Sequence, residues 1–343
     1  MTTIFSKAPL RIGLAGGGTD VSPYCDLYGG VVVNAAISLY THTSILKSEQ
    51  PTITFDATDR NEKHVFPLAE SYPIDGNLDL HKGVYNRLRK DFNPPMFGFH
   101  LMTFSDAPAG SGLGTSSTLV VAIIGAFNEL WQLQLSKEQI AQYAFDIERN
   151  DLHFSGGRQD QYAATYGGFN YLEFENGEVK VNPLQIADSF KQSMEQNLVL
   201  YFTDTSRNSA AIIDEQVKNV IEHNEKSIDA MHHLKQQAIL MKDLLENDQP
   251  DDLGPLLHFG FNHKKNMAAN ITNPRIDAIY SAALLAGASG GKISGAGGGG
   301  FMVFYCPDNT KDAVCNTLLS FGGKIRPYTF VDKGLESWSK SFD

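Results

Sequence analysis

The stretch Pro108-Ala-Gly-Ser-Gly-Leu-Gly-Thr-Ser-Ser117 follows a strand pattern and runs directly into the apolar segment Ser116 to Leu133. Its three alternating glycines allow consecutive backbone N–H groups to turn toward one concavity. A helix beginning at Thr115 to Ser117 adds unpaired amides and the positive end of its dipole, so the segment reads as an anion cradle. Hydroxyls at Thr115, Ser116 and Ser117 can meet a phosphate oxygen or Mg²⁺. The plainer alternative is a glycine-rich strand-to-helix turn with a Ser/Thr cap.

Standard nucleotide motifs do not account for this cradle. The G-x-x-x-x-G-K-[ST] loop is absent, because Gly291-Lys292 and Gly323-Lys324 are each followed by Ile. Gly295, Gly297 and Gly300 satisfy G-x-G-x-x-G formally, but they lead into Phe301 to Cys306, a strand pattern where a dinucleotide site needs a helix. The H-R-D and D-F-G sequences of protein kinases are also missing.

Two further segments carry chemistry. Ala8-Pro-Leu-Arg-Ile-Gly-Leu-Ala-Gly-Gly-Gly-Thr-Asp20 places Arg11 on a strand and Asp20 just after three glycines. A carboxylate there can accept from sugar hydroxyls while Gly17 and Gly18 let backbone approach closely; capping a turn or helix is the alternative use of Asp20. Ser155-Gly-Gly-Arg-Gln-Asp-Gln-Tyr162 opens a short helix, with Glu148 twelve residues before Asp160 at the end of another. One carboxylate can bind Mg²⁺ and the other can take a proton from an attacking hydroxyl. Taken singly, Asp160 also fits a helix cap and Glu148 a solvated helix position.

The 343 residues favour two domains. With 28 Lys+Arg against 39 Asp+Glu, the net charge of −11 argues against nucleic acid and anionic lipid as partners. The longest apolar run, Leu119 to Phe127, is about half of the ~20 residues that a membrane-spanning helix needs. No signal peptide is expected from the first residues, and three unspaced cysteines fit a reducing compartment, so the expected location is the cytoplasm. None of the ten His forms an H-x-x-x-H pair, which speaks against a zinc enzyme.

The pattern is mixed α and β. Strands are expected at 31–46, 52–55, 97–104 and 168–174, and helices at 78–92 and 116–133. Ser136 and Gln139 form a capping box that opens a helix through Arg149. The texture changes near Ser189: a strand at 197–203, some forty helix-favouring residues from Ser209 to Asn247, a helix at 274–288, strands at 292–294, 301–306 and 325–331, and a helix at 310–321. Boundaries of 1–189 and 190–343 follow.

Together these segments resemble the GHMP kinases, the superfamily of galactokinase, homoserine kinase, mevalonate kinase and phosphomevalonate kinase. Arg11 to Asp20 is similar to their amino-terminal substrate motif and Pro108 to Ser117 to their P-x-G-x-G-L-G-S-S phosphate loop, with Thr115 replacing the first Ser. Lys292-Ile-Ser-Gly-Ala-Gly-Gly-Gly-Gly300 is similar to their carboxy-terminal glycine motif. The resemblance implies an α+β, two-domain fold: an amino-terminal ATP- and substrate-binding domain like ribosomal protein S5 domain 2, and a ferredoxin-like carboxy-terminal domain.

It further implies that Pro108, Gly110, Ser111, Gly112, Leu113, Gly114, Thr115, Ser116 and Ser117 hold ATP, that Ser116 and Glu148 coordinate Mg²⁺, and that Asp160 serves as base or orients the attacking hydroxyl, with Arg11 near the transferred phosphoryl. Gly17, Gly18, Thr19, Asp20, Gly297 and Gly298 would bind substrate. The segments at 15–24 and 155–162 are most similar to the branch acting on D-glycero-D-manno-heptose 7-phosphate at its anomeric hydroxyl. An L-fucose-type sugar 1-kinase, or a non-catalytic sugar or ATP sensor, is the alternative. A phosphorylated sugar needs cations, for which Arg158 and Arg207 are nominated over Lys82 and Arg87, whose helix reads as a solvated face. A monomer or homodimer is expected.

Overall fold

The computed structural model describes residues 2–205 and 209–341. Its strands are β1 (Thr2–Ala15), β2 (Gly30–Ser48), β3 (Thr52–Ala57), β4 (Glu62–Pro67), β5 (Gly98–Ser105), β6 (Phe169–Glu175), β7 (Glu178–Leu184), β8 (Leu198–Phe202), β9 (Gly290–Ile293), β10 (Phe301–Tyr305), β11 (Lys324–Ile325) and β12 (Glu336–Ser341). They form two sheets. The first runs β12-β1-β2-β5-β3-β4, with β6 paired to the opening half of β2 and β7 to β6. The second runs β11-β8-β10-β9 and is antiparallel throughout.

Numbered from its own start, that second sheet has the order 4-1-3-2, with helices between its first and second and its third and fourth strands. This is the ferredoxin-like arrangement. The expected α+β class with two such units is therefore what the chain adopts. A division near residue 189 remains our proposal for the boundary, with one qualification from topology: β12 lies on β1, in register from Thr2 with Ser341 to Lys7 with Glu336. The end of the chain thus contributes to the first sheet.

The helix Thr115–Trp131 packs against β1 and β2. It is apolar on nearly every face, as a helix enclosed by protein must be, and Val120 through Ile124, Ala126 and Phe127 are all fully buried. Phe127 stacks on Trp131 at 4.3 Å and meets Phe99 edge-on. Burying a side chain of that size contributes about 1.5–3 kcal/mol. This anchorage fixes the helix start, where the glycine loop ends.

Three expectations need correction. The strand placed at 325–331 lasts only through Ile325: Arg326 N–H donates to Leu200 O at 2.9 Å, Pro327 has no N–H to offer, and the chain then crosses to the first sheet, where Phe330 bridges Ile37. The helix from Lys137 is α-helical only to Asp146 and continues as a π-helical turn, Ile147–Asp151. Its expected capping box is present, with Ser136 and Gln139 bonded reciprocally. Lys82 is not on a solvated face; it is fully buried and ion-paired with Asp75 at 2.5 Å. Among the described residues no helix is long and apolar enough to cross a membrane.

Candidate active site

On β1, Leu10, Ile12 and Leu14 enter the core, so strand alternation turns Arg11 and Gly13 toward a cavity of about 230 Å³ between the two sheets. Arg11 is 4% exposed. Its Nε and Nη2 both lie 2.7 Å from Asp160 Oδ1, and Nη1 donates to Gly112 O at 2.6 Å. Its backbone N–H donates to Leu113 O at 3.2 Å. One guanidinium thus ties the strand, the glycine loop and the Asp160 carboxylate together, using the fork that suits Arg to this task.

Asp160 stands in the first turn of the helix Gln159–Tyr166. The Gly114 backbone passes so close that a Cβ there would be 3.0 Å from Asp160 Cγ. Gly114 has φ +79° and caps the helix Thr115–Trp131 without a side-chain hydrogen bond, leaving the first amides for another acceptor. The loop's residues divide. Gly110, Gly112, Gly114, Thr115, Ser116 and Ser117 line the cavity, while Leu113 is wholly in the core. Ser111 is also buried, its carbonyl accepting from Phe301 N–H, and Pro108 O accepts from Ser111 N–H.

The hydroxyls divide too. Thr115 reaches Pro108 O and Ser111 Oγ, and Ser117 accepts from Gln161 Nε2 at 3.1 Å, which leaves Ser116 as the exposed one. Glu148 comes from the π-helical turn and is 1% exposed, not solvated. Its Oε2 accepts from Gln161 Nε2 at 2.5 Å and Arg149 Nη1 stands 3.7 Å from Oε1. Burial pushes its carboxyl above the usual range and Arg149 opposes that. Ser116 and Glu148 both line the cavity and offer only hard oxygen, a donor set that fits Mg²⁺ completed by phosphate oxygens. Among the described residues no three His, Cys, Asp or Glu side chains converge into a cage.

The residues nominated for substrate fall differently. Gly17 and Gly18 line the cavity. Thr19 is buried, its hydroxyl sharing one hydrogen between Gly16 O and Val31 O and accepting from Val31 N–H. Asp20 also lines the cavity, but its roughly four acceptor positions are taken by the N–H groups of Gly18, Arg158 and Gln159 and by Gln159 Nε2, at 3.0–3.2 Å. It therefore holds the start of the Asp160 helix, the capping alternative realised across the fold. Arg158 lies outside the cavity lining, in an adjoining groove, with its guanidinium over Phe145 and bonded to Gly177 O. Gly297 and Gly298 pack on Ile271 instead of lining the cavity. Arg207 lies outside the described residues.

Two cavity cations escaped nomination. Lys292 Nζ donates to Gly13 O at 2.6 Å, and Lys264 Nζ donates to Gly17 O at 3.2 Å. Burial lowers Lys264 to about 8, with Asp20 opposing and Arg11 adding to the shift. Burial, then Lys264 and Arg11, take Lys292 well below the usual lysine range. A signal for Lys264 exists in sequence: it falls in phase with Leu253, Leu257 and Phe261 on the buried stripe of its helix.

Comparison with known proteins agrees with this geometry. Residues 79–168 match the GHMP kinases N terminal domain and residues 240–324 the GHMP kinases C terminal model. The chain is 44% identical over 339 residues to a D-glycero-alpha-D-manno-heptose 7-phosphate kinase of Campylobacter jejuni, covering 98% of this chain and 99% of that one. It superposes with TM-score 0.85 on a crystal structure described as a D-glycero-D-manno-heptose 1-phosphate kinase from Bacteroides thetaiotaomicron, at 39% identity over 99% of this chain and 100% of the other. An L-fucokinase/L-fucose-1-P guanylyltransferase of Bacteroides fragilis is 27% identical over 89% of this chain and 35% of its own. The anion cradle, the carboxylate facing it, the two family matches and the full-length likeness to the two heptose phosphate kinases have one explanation: the chain belongs to the GHMP kinases.

Proposed function

We propose that this kinase transfers the γ-phosphoryl group of ATP to the anomeric hydroxyl of D-glycero-D-manno-heptose 7-phosphate, releasing ADP and the 1,7-bisphosphate. The observation that carries the reading is the Asp160 carboxylate held by Arg11 at 2.7 Å against Gly114 of the phosphate loop. The full-length likeness to a heptose 7-phosphate kinase supports the choice of sugar.

In this reading the triphosphate lies along Gly110 to Ser117, where loop amides and the helix start meet its charge. The anomeric hydroxyl sits at Asp160. As its oxygen attacks the γ-phosphorus, Asp160 takes the proton, and the bond from γ-phosphorus to the β,γ-bridging oxygen breaks to release ADP. Arg11 fixes the carboxylate and faces the developing phosphoryl charge. Ser116 and Glu148 would hold Mg²⁺, which supplies charge neutralisation on the phosphates when bound. Positioning provides much of the acceleration, since the parts are already joined through Arg11.

An L-fucose-type 1-kinase is the weaker alternative, because the likeness there is 27% and spans 35% of that protein. A sensor without activity is disfavoured by the presence of Arg11, Ser116, Glu148 and Asp160 together. The test is ADP release from Mg-ATP with heptose 7-phosphate, heptose 1-phosphate, L-fucose, galactose, mevalonate and homoserine, followed by phosphorus NMR of the product. The two heptose phosphates are both needed because the similar proteins carry names that place the phosphate at different carbons. A new anomeric phosphate on heptose 7-phosphate is expected. ADP release independent of every acceptor removes the reading.

A further inference from the structure

Lys264 is a cavity cation for which the transfer step has no use. Arg11 is committed to Asp160 and Gly112, while Lys292 donates to Gly13 O and is a charged neighbour of Lys264. Lys264 approaches instead from the substrate motif. It closes the helix Leu253–Lys264, is 5% exposed, and the single acceptor given to its ammonium among the described residues is Gly17 O. An ammonium has three donors, so this leaves capacity for a ligand. A Cβ on residue 17 would stand 3.9 Å from Nζ; glycine keeps that space open.

The neighbouring groups point the same way. Gln216 donates to Gly18 O at 2.7 Å and Gln237 Oε1 accepts from Gly16 N–H at 3.3 Å, so with Lys264 the carboxy-terminal half grips this turn by three side chains. Asp20 attracts Lys264, but its oxygens are occupied by the start of the Asp160 helix. What is left is a buried cation at the sugar end of the cavity without a carboxylate partner. A phosphate monoester carries nearly two charges at neutral pH, and in a chain of net charge −11 its counter-charge must be placed locally. A cation already stripped of water binds such a group more strongly than a solvated one.

We propose that Lys264 anchors the phosphate that the sugar itself carries, and so sets the preference for a phosphorylated over a free sugar. The proposal rests on the sugar-phosphate kinase reading. It gives to Lys264 the task nominated from sequence for Arg158, which faces the adjoining groove.

The test compares kcat/KM for heptose 7-phosphate and unphosphorylated heptose in the wild-type protein, Lys264→Met, Lys264→Gln and Lys264→Arg. Lys264→Gln keeps a donor for Gly17 O while removing charge, so it separates the loss of charge from the loss of that hydrogen bond. Both neutral variants are expected to lose on the order of 10²-fold on the phosphorylated sugar, through KM, and less than about threefold on the free one, with Lys264→Arg recovering most of the loss. Equal losses on both sugars, or none, overturn the anchor while leaving the kinase reading intact. A wild-type protein that phosphorylates free sugars without preferring the phosphorylated one removes the substrate reading and the anchor with it.

Discussion

In the stretch 108–117, Gly114 bends the chain so that unpaired amides and the Ser116 hydroxyl are presented to the cavity. In the stretch 292–300, Gly297, Gly299 and Gly300 lie against Ile271, Thr205 and Ser111, where a Cβ would stand 2.3–2.8 Å from its nearest neighbour. The two stretches touch at Gly112 and Gly295, whose backbones leave no room for a side chain between them. Similar composition thus serves two ends, exposure of donors in one and close packing in the other. What decides between them is the surface opposite: solvent and a carboxylate for the first, a second backbone for the other.

The comparison is most severely tested at Asp160, the group that makes the first stretch chemical. Asp160→Asn is expected to lower kcat by roughly 10²- to 10⁴-fold while ATP affinity, measured by calorimetry, persists; near wild-type turnover would take Asp160 out of the mechanism. Next come the glycines themselves. In Gly114→Ala the new Cβ, 3.0 Å from Asp160 Cγ, displaces the carboxylate, and kcat is expected to fall about 10²-fold. In Gly297→Ala, φ +112° and Ile271 O at 2.6 Å set the cost in stability, about 1–3 kcal/mol by denaturant unfolding, with kcat per folded molecule within about threefold. If both variants lose turnover in proportion, the distinction between the two stretches fails.

The smallest effect concerns Lys264. Its pKa is lowered from 10.5 to about 8, so burial penalises the charged form fully below pH 8, and the penalty is relieved as pH rises from there to 10.5. Above 8 the unfolded chain binds the extra proton, so this residue's contribution to stability rises with pH. Lys264→Met is therefore expected to melt higher than wild type at pH 7, with the gain shrinking to nothing by about pH 10.5. A gain constant across that window means the ammonium is not desolvated. Lys292 is itself held down in part by the Lys264 charge, so Lys264→Met relieves Lys292 as well, and the difference reports the two ammonium groups together.

The sheets and the phosphate loop were legible because period and glycine spacing are local signals. Strands β2, β5, β6, β8 and β10 and the helix after Gly114 lie within a few residues of where alternation and apolar runs put them. The pairing of Arg11 with Asp160, 149 residues apart, was reachable only through the order of known motifs. Lys82 was misread because its charge was assigned to solvent by type, and Lys264 drew no reading at all. Lys264 and Lys82 each fall on the buried stripe of a helix, and that phase, which is visible in sequence, outranks residue type. Arg158 was misplaced because its helix start turns it away from the cavity, a direction that no spacing encodes.

The pairing of β12 with β1 has a temporal consequence. The strand bearing Arg11 leaves the ribosome more than 320 residues ahead of its neighbour at 336–341, a delay on the order of tens of seconds at ordinary translation speed. Until then one edge of the first sheet stays unzipped, so the arginine that ties strand, loop and carboxylate together rides on a strand still short of a partner.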